Sequence, residues 1–183
     1  MHYRGGMDAV RQGPAVVAIA APSGMGKTTL IEALISALSG WGLRVGAIKS
    51  DAHRVELDRP GKDTHRMRTA GAEVTALVSK DQIAVFRDVP GPAIVLPEVV
   101  RVFFPTQDVV IAEGFRSQGL PTIVVRRAGV SMDSWEWPRD VIAIATDAPE
   151  SEDATSLDLN DPEGIARFLC ERLGLSVGRT KAG

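Results

Sequence analysis

Hydrophobic positions along the chain come in two alternating patterns. Short runs rich in Val, Ile and Ala lie near residues 14–20, 43–49, 73–79, 82–88, 108–112, 121–127 and 140–146 and read as strands. Between them, apolar residues recur at helical spacing near 27–39, 63–70, 96–103 and 162–173. In the first of these helices Leu30, Leu34 and Leu38 fall at i, i+4 and i+8 beside Ile31 and Ile35, a stripe about one helix face wide. Gly40 or Gly42 stops that helix, because glycine adopts the left-handed conformation that ends a helix at little cost. Alternation of apolar strands with amphipathic helices predicts an α/β fold with a mostly parallel central sheet.

Breaks in the pattern mark the connections. Asp88–Pro97 carries three prolines and a glycine and reads as a turn followed by a short helix. Residues 128–139, with Pro138 and two tryptophans, read as an excursion between strands, and Ser151–Asn160 as a surface loop. Asp161 before Pro162 supplies a cap and first turn for the last helix. The expected organisation is a loose lead-in over 1–13, a single domain over 14–175 and a short flexible tail over 176–183.

Composition narrows the function classes. With 183 residues and 44% hydrophobic positions the chain is long enough to bury a sizeable core. Lys plus Arg total 21 against 23 Asp plus Glu, for a net charge of −2, which disfavours a general nucleic-acid or anionic-membrane binder. No apolar run reaches the roughly 18 residues of a membrane helix. Ala15–Ala21 is too closely joined to the motif that follows it to read as a signal peptide, and Asp8 interrupts the leader. Cys170 is the lone cysteine, and one thiol makes no intrachain disulfide, so a reducing, cytoplasmic setting is expected.

The decisive segment is Ala21-Pro-Ser-Gly-Met-Gly-Lys-Thr28, placed between an apolar strand and an amphipathic helix. It is a P-loop, and it refines the fold expectation to a three-layer P-loop NTPase. Gly24 and Gly26 let the backbone N–H groups of Ser23, Gly24, Met25, Gly26, Lys27, Thr28 and Thr29 curl around phosphate oxygens at the positive end of the helix. Lys27 is expected to reach the β and γ phosphates and to act in catalysis, and Thr28 to ligate Mg²⁺. Ala21 stands at the usual first glycine position. Two carboxylates at strand ends are candidates for the metal shell: Glu113, which can also orient a hydrolytic water, and Asp51. The structural alternatives are a surface carboxylate and a turn cap.

These residues resemble one family, the MobB proteins of molybdopterin-guanine dinucleotide biosynthesis, over roughly residues 15–172. The resemblance rests on the P-loop, Ile48-Lys49 followed by His53, Asp58-Arg-Pro-Gly-Lys-Asp63 with Arg66 and Ala70-Gly71-Ala72, Glu113-Gly114-Phe115 and Ala145-Thr146-Asp147. It implies an accessory factor that binds GTP, hydrolyses it slowly with Mg²⁺, forms a homodimer and assists MobA in attaching GMP to molybdopterin. The family often carries His where this chain has Ser50, so any role for that imidazole is absent here.

Other residues divide between binding and structure. Lys62, Arg66 and Arg68 can face nucleotide or pterin phosphates, or form a solvated helix face. Asp63 is a helix cap or a metal ligand. Asp147, emerging from an apolar strand on the rim of the P-loop, is the candidate guanine reader, because an ionised carboxylate accepts from N1–H and the exocyclic amine. Turn capping is its alternative, and the Asn-Lys-x-Asp guanine motif is absent. His53 and His65 lack zinc-ligand spacing. Trp135, Trp137 and Cys170 read as packing residues. A small-molecule kinase, with Arg126-Arg127 as its acceptor arginines, and a metallochaperone-type GTPase are the rival functions.

Overall fold

Parallel strand pairing organises the larger part of the molecule. The computed structural model describes residues 13–51, 58–89, 95–148 and 155–177. In chain order the elements are β1 (Ala15–Ala20), α1 (Lys27–Gly40), β2 (Val45–Lys49), α2 (Asp63–Thr69), β3 (Val74–Val78), β4 (Ile83–Arg87), α3 (Leu96–Phe103), β5 (Val109–Glu113), β6 (Thr122–Arg126), β7 (Val141–Thr146), β8 (Ser156–Asp158) and α4 (Pro162–Leu173). Contacts separate the chain into two compact units: one runs to Ser50 and resumes at Leu96, and the other is Asp51–Val95. Sequence periodicity predicts one domain over 14–175 and carries no mark of this division. The expected lead-in, apart from Gly13, and residues 178–183 of the expected tail lie outside the described residues, as do His53, residues 90–94 of the proline-rich turn and residues 151–154 of the expected loop.

The first unit holds a six-stranded sheet in the order β2-β5-β1-β6-β7-β8, with every pairing parallel. Successive strands point the same way because helices or loops return the chain along the sheet faces. Residues of β5 alternate between the faces. Val109 and Ile111 join the core formed with Leu30, Leu34 and Leu38 of α1 and Ile165 and Leu169 of α4. Val110 and Ala112 pack with Leu96 and Val100 of α3. Helices therefore cover both faces, and the three-layer architecture with a central parallel sheet follows from β-strands that are apolar on both sides.

One strand escapes the sequence pattern. Ser156–Asp158, expected as loop, is β8, which pairs with Ile144–Thr146 of β7. Three residues with a single apolar side chain show no periodicity, so this strand is defined by the hydrogen-bonding edge of β7. Trp135 packs against the main core and meets Trp137 edge to face at 5.6 Å, in agreement with the packing reading. Cys170 is buried, and burial pushes its thiol pKa up.

In the second unit β3 and β4 form an antiparallel hairpin instead of extending the parallel sheet. Its turn is tied at Ser79, whose N–H donates to the Gln82 carbonyl (2.8 Å) and whose hydroxyl accepts from the Gln82 N–H (3.0 Å). Arg68, on α2, pairs with Asp58 (3.6 Å) and Asp88 (2.9 Å) and lies over the Phe86 ring. Asp58 is itself buried and accepts a hydrogen bond from Thr64. Arg68 is thus an internal tie of this unit, where its chain position equally suits an anion ligand.

Candidate functional site

The C-terminal ends of the parallel strands bring distant parts of the first unit to the P-loop. β1 is the point at which the chain switches direction across the sheet, with β5 on one side and β6 on the other, and such switch points leave a crevice at the strand ends. Register sets what reaches it: Ile19 lies opposite Glu113 on β5, Glu113 opposite Lys49 on β2, and Ala20 opposite Val124 on β6. The P-loop leaves β1 immediately above these positions.

Loop geometry follows from its glycines. Gly24 and Gly26 have φ of 79° and 87°, left-handed values that glycine adopts without Cβ strain. Gly26 occupies the N-cap of α1, and among the described residues no side chain caps that end and no acidic residue lies in its first turn. The initial N–H groups of α1 therefore face the loop with their partial positive charge uncompensated by side chains. By contrast, α4 is capped by Asp161, which accepts from the Gly164 N–H at 2.9 Å. The Lys27 ammonium lies across the loop, donating to the carbonyls of Ala21 (3.1 Å) and Pro22 (2.9 Å).

Glu113 meets the loop from β5. Its Oε2 accepts from the Thr28 hydroxyl at 3.3 Å, and its Oε1 lies 3.7 Å from Lys49 Nζ. The backbone behind it is tightly set. Ser50 N–H donates to the Glu113 carbonyl (2.9 Å), and Gly114, at φ 89°, leaves room for Ser50, which a Cβ would approach to 3.2 Å. Phe115 also takes a positive φ, 57°, a strained conformation held by packing of its ring against the α3 cluster. A hydroxyl and a carboxylate side by side form an all-oxygen donor set of the kind Mg²⁺ takes, with the ion's remaining positions left to water and phosphate.

On the other side of the loop stand Arg127 and Asp147. Asp147 accepts from Arg127 Nη1 (3.0 Å) through Oδ2 and from the Ala128 N–H (2.7 Å) through Oδ1. The Ala128 N–H and, after it, the Arg127 guanidinium hold the Asp147 carboxyl below its ordinary pKa. Arg127 Nε also points to the Met25 carbonyl at 3.4 Å.

The expected site residues thus divide between the units. Ser23, Gly24, Met25, Gly26, Lys27, Thr28, Thr29, Glu113 and Asp147 belong to the first and converge at the strand ends. Asp51, Lys62 and Arg66 belong to the second. Within it, Asp51 is exposed, Lys62 stands at the N-cap of α2, and Arg66 pairs with Asp63 at 3.6 Å. Lys49, which the family motif includes, and Arg127, which the kinase alternative names, are contacts to which motif reasoning gives no role at the P-loop. A basic residue at a strand end has many uses, and its neighbour becomes visible only with the strand order.

Comparison with known proteins agrees with this architecture. The family model described as "Molybdopterin guanine dinucleotide synthesis protein B" (MobB) matches residues 16–147. The molybdopterin-guanine dinucleotide biosynthesis adapter protein of Escherichia coli K12 is 38% identical over 160 residues, covering 85% of this chain and 91% of that protein. The protein of the same name from Haemophilus influenzae is 36% identical over 148 residues, covering 80% and 83%. The crystal structure of Bacillus subtilis MobB superposes with a TM-score of 0.68 at 25% identity, covering 87% of this chain and 98% of that one. The P-loop, the strand-end carboxylates and these matches over most of the chain lead to one conclusion: the chain belongs to the MobB family.

Proposed function

We propose that this chain is a GTP-binding adapter of molybdopterin-guanine dinucleotide biosynthesis that acts in the cytoplasm beside a MobA-type guanylyltransferase and its molybdopterin substrate. The adapter role is the one named for its relatives. The observation that carries the nucleotide reading is the uncapped α1 N-terminus behind two left-handed glycines, with Lys27 across the loop and Glu113 against Thr28.

The chemistry follows from these groups. Backbone N–H groups of residues 23–29 and the Lys27 ammonium neutralise phosphate oxygens. Thr28 and Glu113 would hold Mg²⁺, which screens phosphate charge when bound. Glu113 orients a water for attack. Hydrolysis is slow in this reading, because the sequence offers no catalytic glutamine, and phosphoryl transfer depends on charge stabilisation already in place. Lys62 and Arg66 are proposed as anion-binding residues of the second unit. Guanine is assigned to Asp147: an ionised carboxylate has about four lone-pair sites, and Arg127 and Ala128 draw on two of them.

The test is to identify the nucleotide retained by purified protein, then to compete GTP against ATP. A guanine nucleotide with GTP preferred is the expected result, and equal affinities overturn the guanine assignment. Lys27→Ala is expected to abolish Mg-dependent binding while leaving the fold intact. Unaltered affinity in that variant overturns the phosphate site.

A further inference from the structure

Arg127 is placed in a way the reading above does not use. Arg126 of β6 pairs in register with Thr146 of β7, so the next residue of each strand, Arg127 and Asp147, meet just beyond the sheet. The two arginines then part. Arg126 is exposed, whereas Arg127 turns onto the P-loop, with its side chain 43% exposed and that of its partner Asp147 23%. Three sides of the guanidinium are engaged or in contact: Nη1 on Asp147 Oδ2 at 3.0 Å, Nε on the Met25 carbonyl at 3.4 Å, and Nη2 against Gly26, where a Cβ would come within 3.0 Å. Gly26 is the N-cap of α1, next to the N–H groups that the phosphate reading employs.

A carboxylate that served only to cap the turn would be satisfied by the Ala128 N–H. Here its other oxygen accepts from a guanidinium that also meets the loop at Met25 and Gly26. Gly26 has no side chain to keep the fork away. A preorganised guanidinium binds phosphate with more geometric selectivity than a mobile ammonium, since less freedom is lost for each bond formed. We propose that Arg127 is a second phosphate-binding cation of the nucleotide site and that Asp147 is its positioning residue. This inference rests on the P-loop reading, and it gives Asp147 a task besides the base.

The test compares ligands with and without phosphates. Affinities of Mg–GTP by calorimetry and of guanosine by competition are measured for wild type, Arg127→Gln, Asp147→Asn and the double variant, with thermal midpoints to verify folding. Arg127→Gln is expected to weaken Mg–GTP by about 10- to 100-fold, the value of a charge-assisted hydrogen bond, with guanosine binding unchanged. Asp147→Asn is expected to lower GTP affinity relative to guanosine as well, and in the double variant this phosphate-dependent loss is expected to be no larger than in Arg127→Gln alone. Unchanged GTP affinity in Arg127→Gln, or equal losses for GTP and guanosine, overturns the proposal; so do losses of GTP relative to guanosine that add in the double variant. An Asp147→Asn protein that loses GTP-over-ITP selectivity with no loss of triphosphate affinity also overturns the positioning role. Should Arg127→Gln fail to fold, Arg127→Lys carries the same comparison, because it keeps the charge and removes the fork. A wild-type protein that binds no nucleotide fails the P-loop reading itself, a separate result.

Discussion

Glu113 holds Thr28, Lys49 and, through its backbone, Ser50. Glu113→Gln keeps the size of the side chain and its contact with Thr28 but removes the charge that orients a water. It is expected to lower GTP turnover by about a hundredfold, the scale of a lost general base, while much of the GTP binding remains; single-turnover assays with parallel calorimetry check this. A second residue-scale expectation concerns acid stability. Hydrogen bonds from the Arg44 side chain and backbone N–H hold the Asp108 carboxyl below its ordinary pKa. A carboxylate depressed in the folded state contributes stability above its unfolded pKa and loses it as pH falls through the folded value. Asp108→Asn is therefore expected to lower the melting temperature at neutral pH and to flatten its fall below about pH 4, as read by melting curves across acid pH. The effect is modest because both side chains are partly open to solvent. At this scale the sequence shows which carboxylates end strands, but it treats Arg126 and Arg127 alike. Strand alternation and the register with β7 send one to solvent and the other to the loop.

Elements were largely legible where periodicity and punctuation agree. α4 begins at the predicted Asp161-Pro162 and presents Ile165, Leu169 and Leu173 to the core. Its cap demands a close approach: a Cβ at Gly164 would collide with the Asp161 carboxylate. Asp161→Ala is expected to destabilise the protein by about 1 kcal/mol, the usual worth of an N-cap, and Gly164→Ala to lose the same cap by displacing the carboxylate. Urea unfolding of both variants measures it, and a stability unchanged in both speaks against the cap. α1 starts by a different rule. Its N-terminus is set by Gly26 in place of a capping side chain, which fits a helix end that takes its compensation from an anion. β8 was not legible, because its pairing partner rather than its own side chains makes it a strand.

Whole-molecule order comes from pairings between distant segments. The runs over 73–79 and 82–88 resemble the other apolar runs in composition, yet they form a separate antiparallel hairpin, since a short polar turn joins them directly and a parallel pair requires a crossover. The hairpin leaves Val74, Leu77, Val78, Ile83 and Val85 exposed, with Val78 at 68% and Ile83 at 71%. Each strand has a single pairing partner among the described residues. An apolar hairpin with open edges is suited to association, and the homodimer expected from the family resemblance is tested there. Light scattering at micromolar concentration is expected to give twice the chain mass, and a charge at Ile83 (Ile83→Lys) to shift it toward monomer; a monomeric wild type, with and without nucleotide, rejects the dimer.

Strands, helices and the P-loop could be read from the chain because each depends on neighbours within a few residues: apolar spacing, a cap, two glycines before a lysine. Strand order, the separation of 51–95 as its own unit and the company kept by Glu113, Lys49, Arg127 and Asp147 depend on hydrogen bonds between segments far apart in the chain. No local spacing encodes those, because many strand orders bury the same apolar residues. The chosen order places β5 and β6 on either side of β1, and that placement brings a carboxylate to one flank of the P-loop and an arginine to the other.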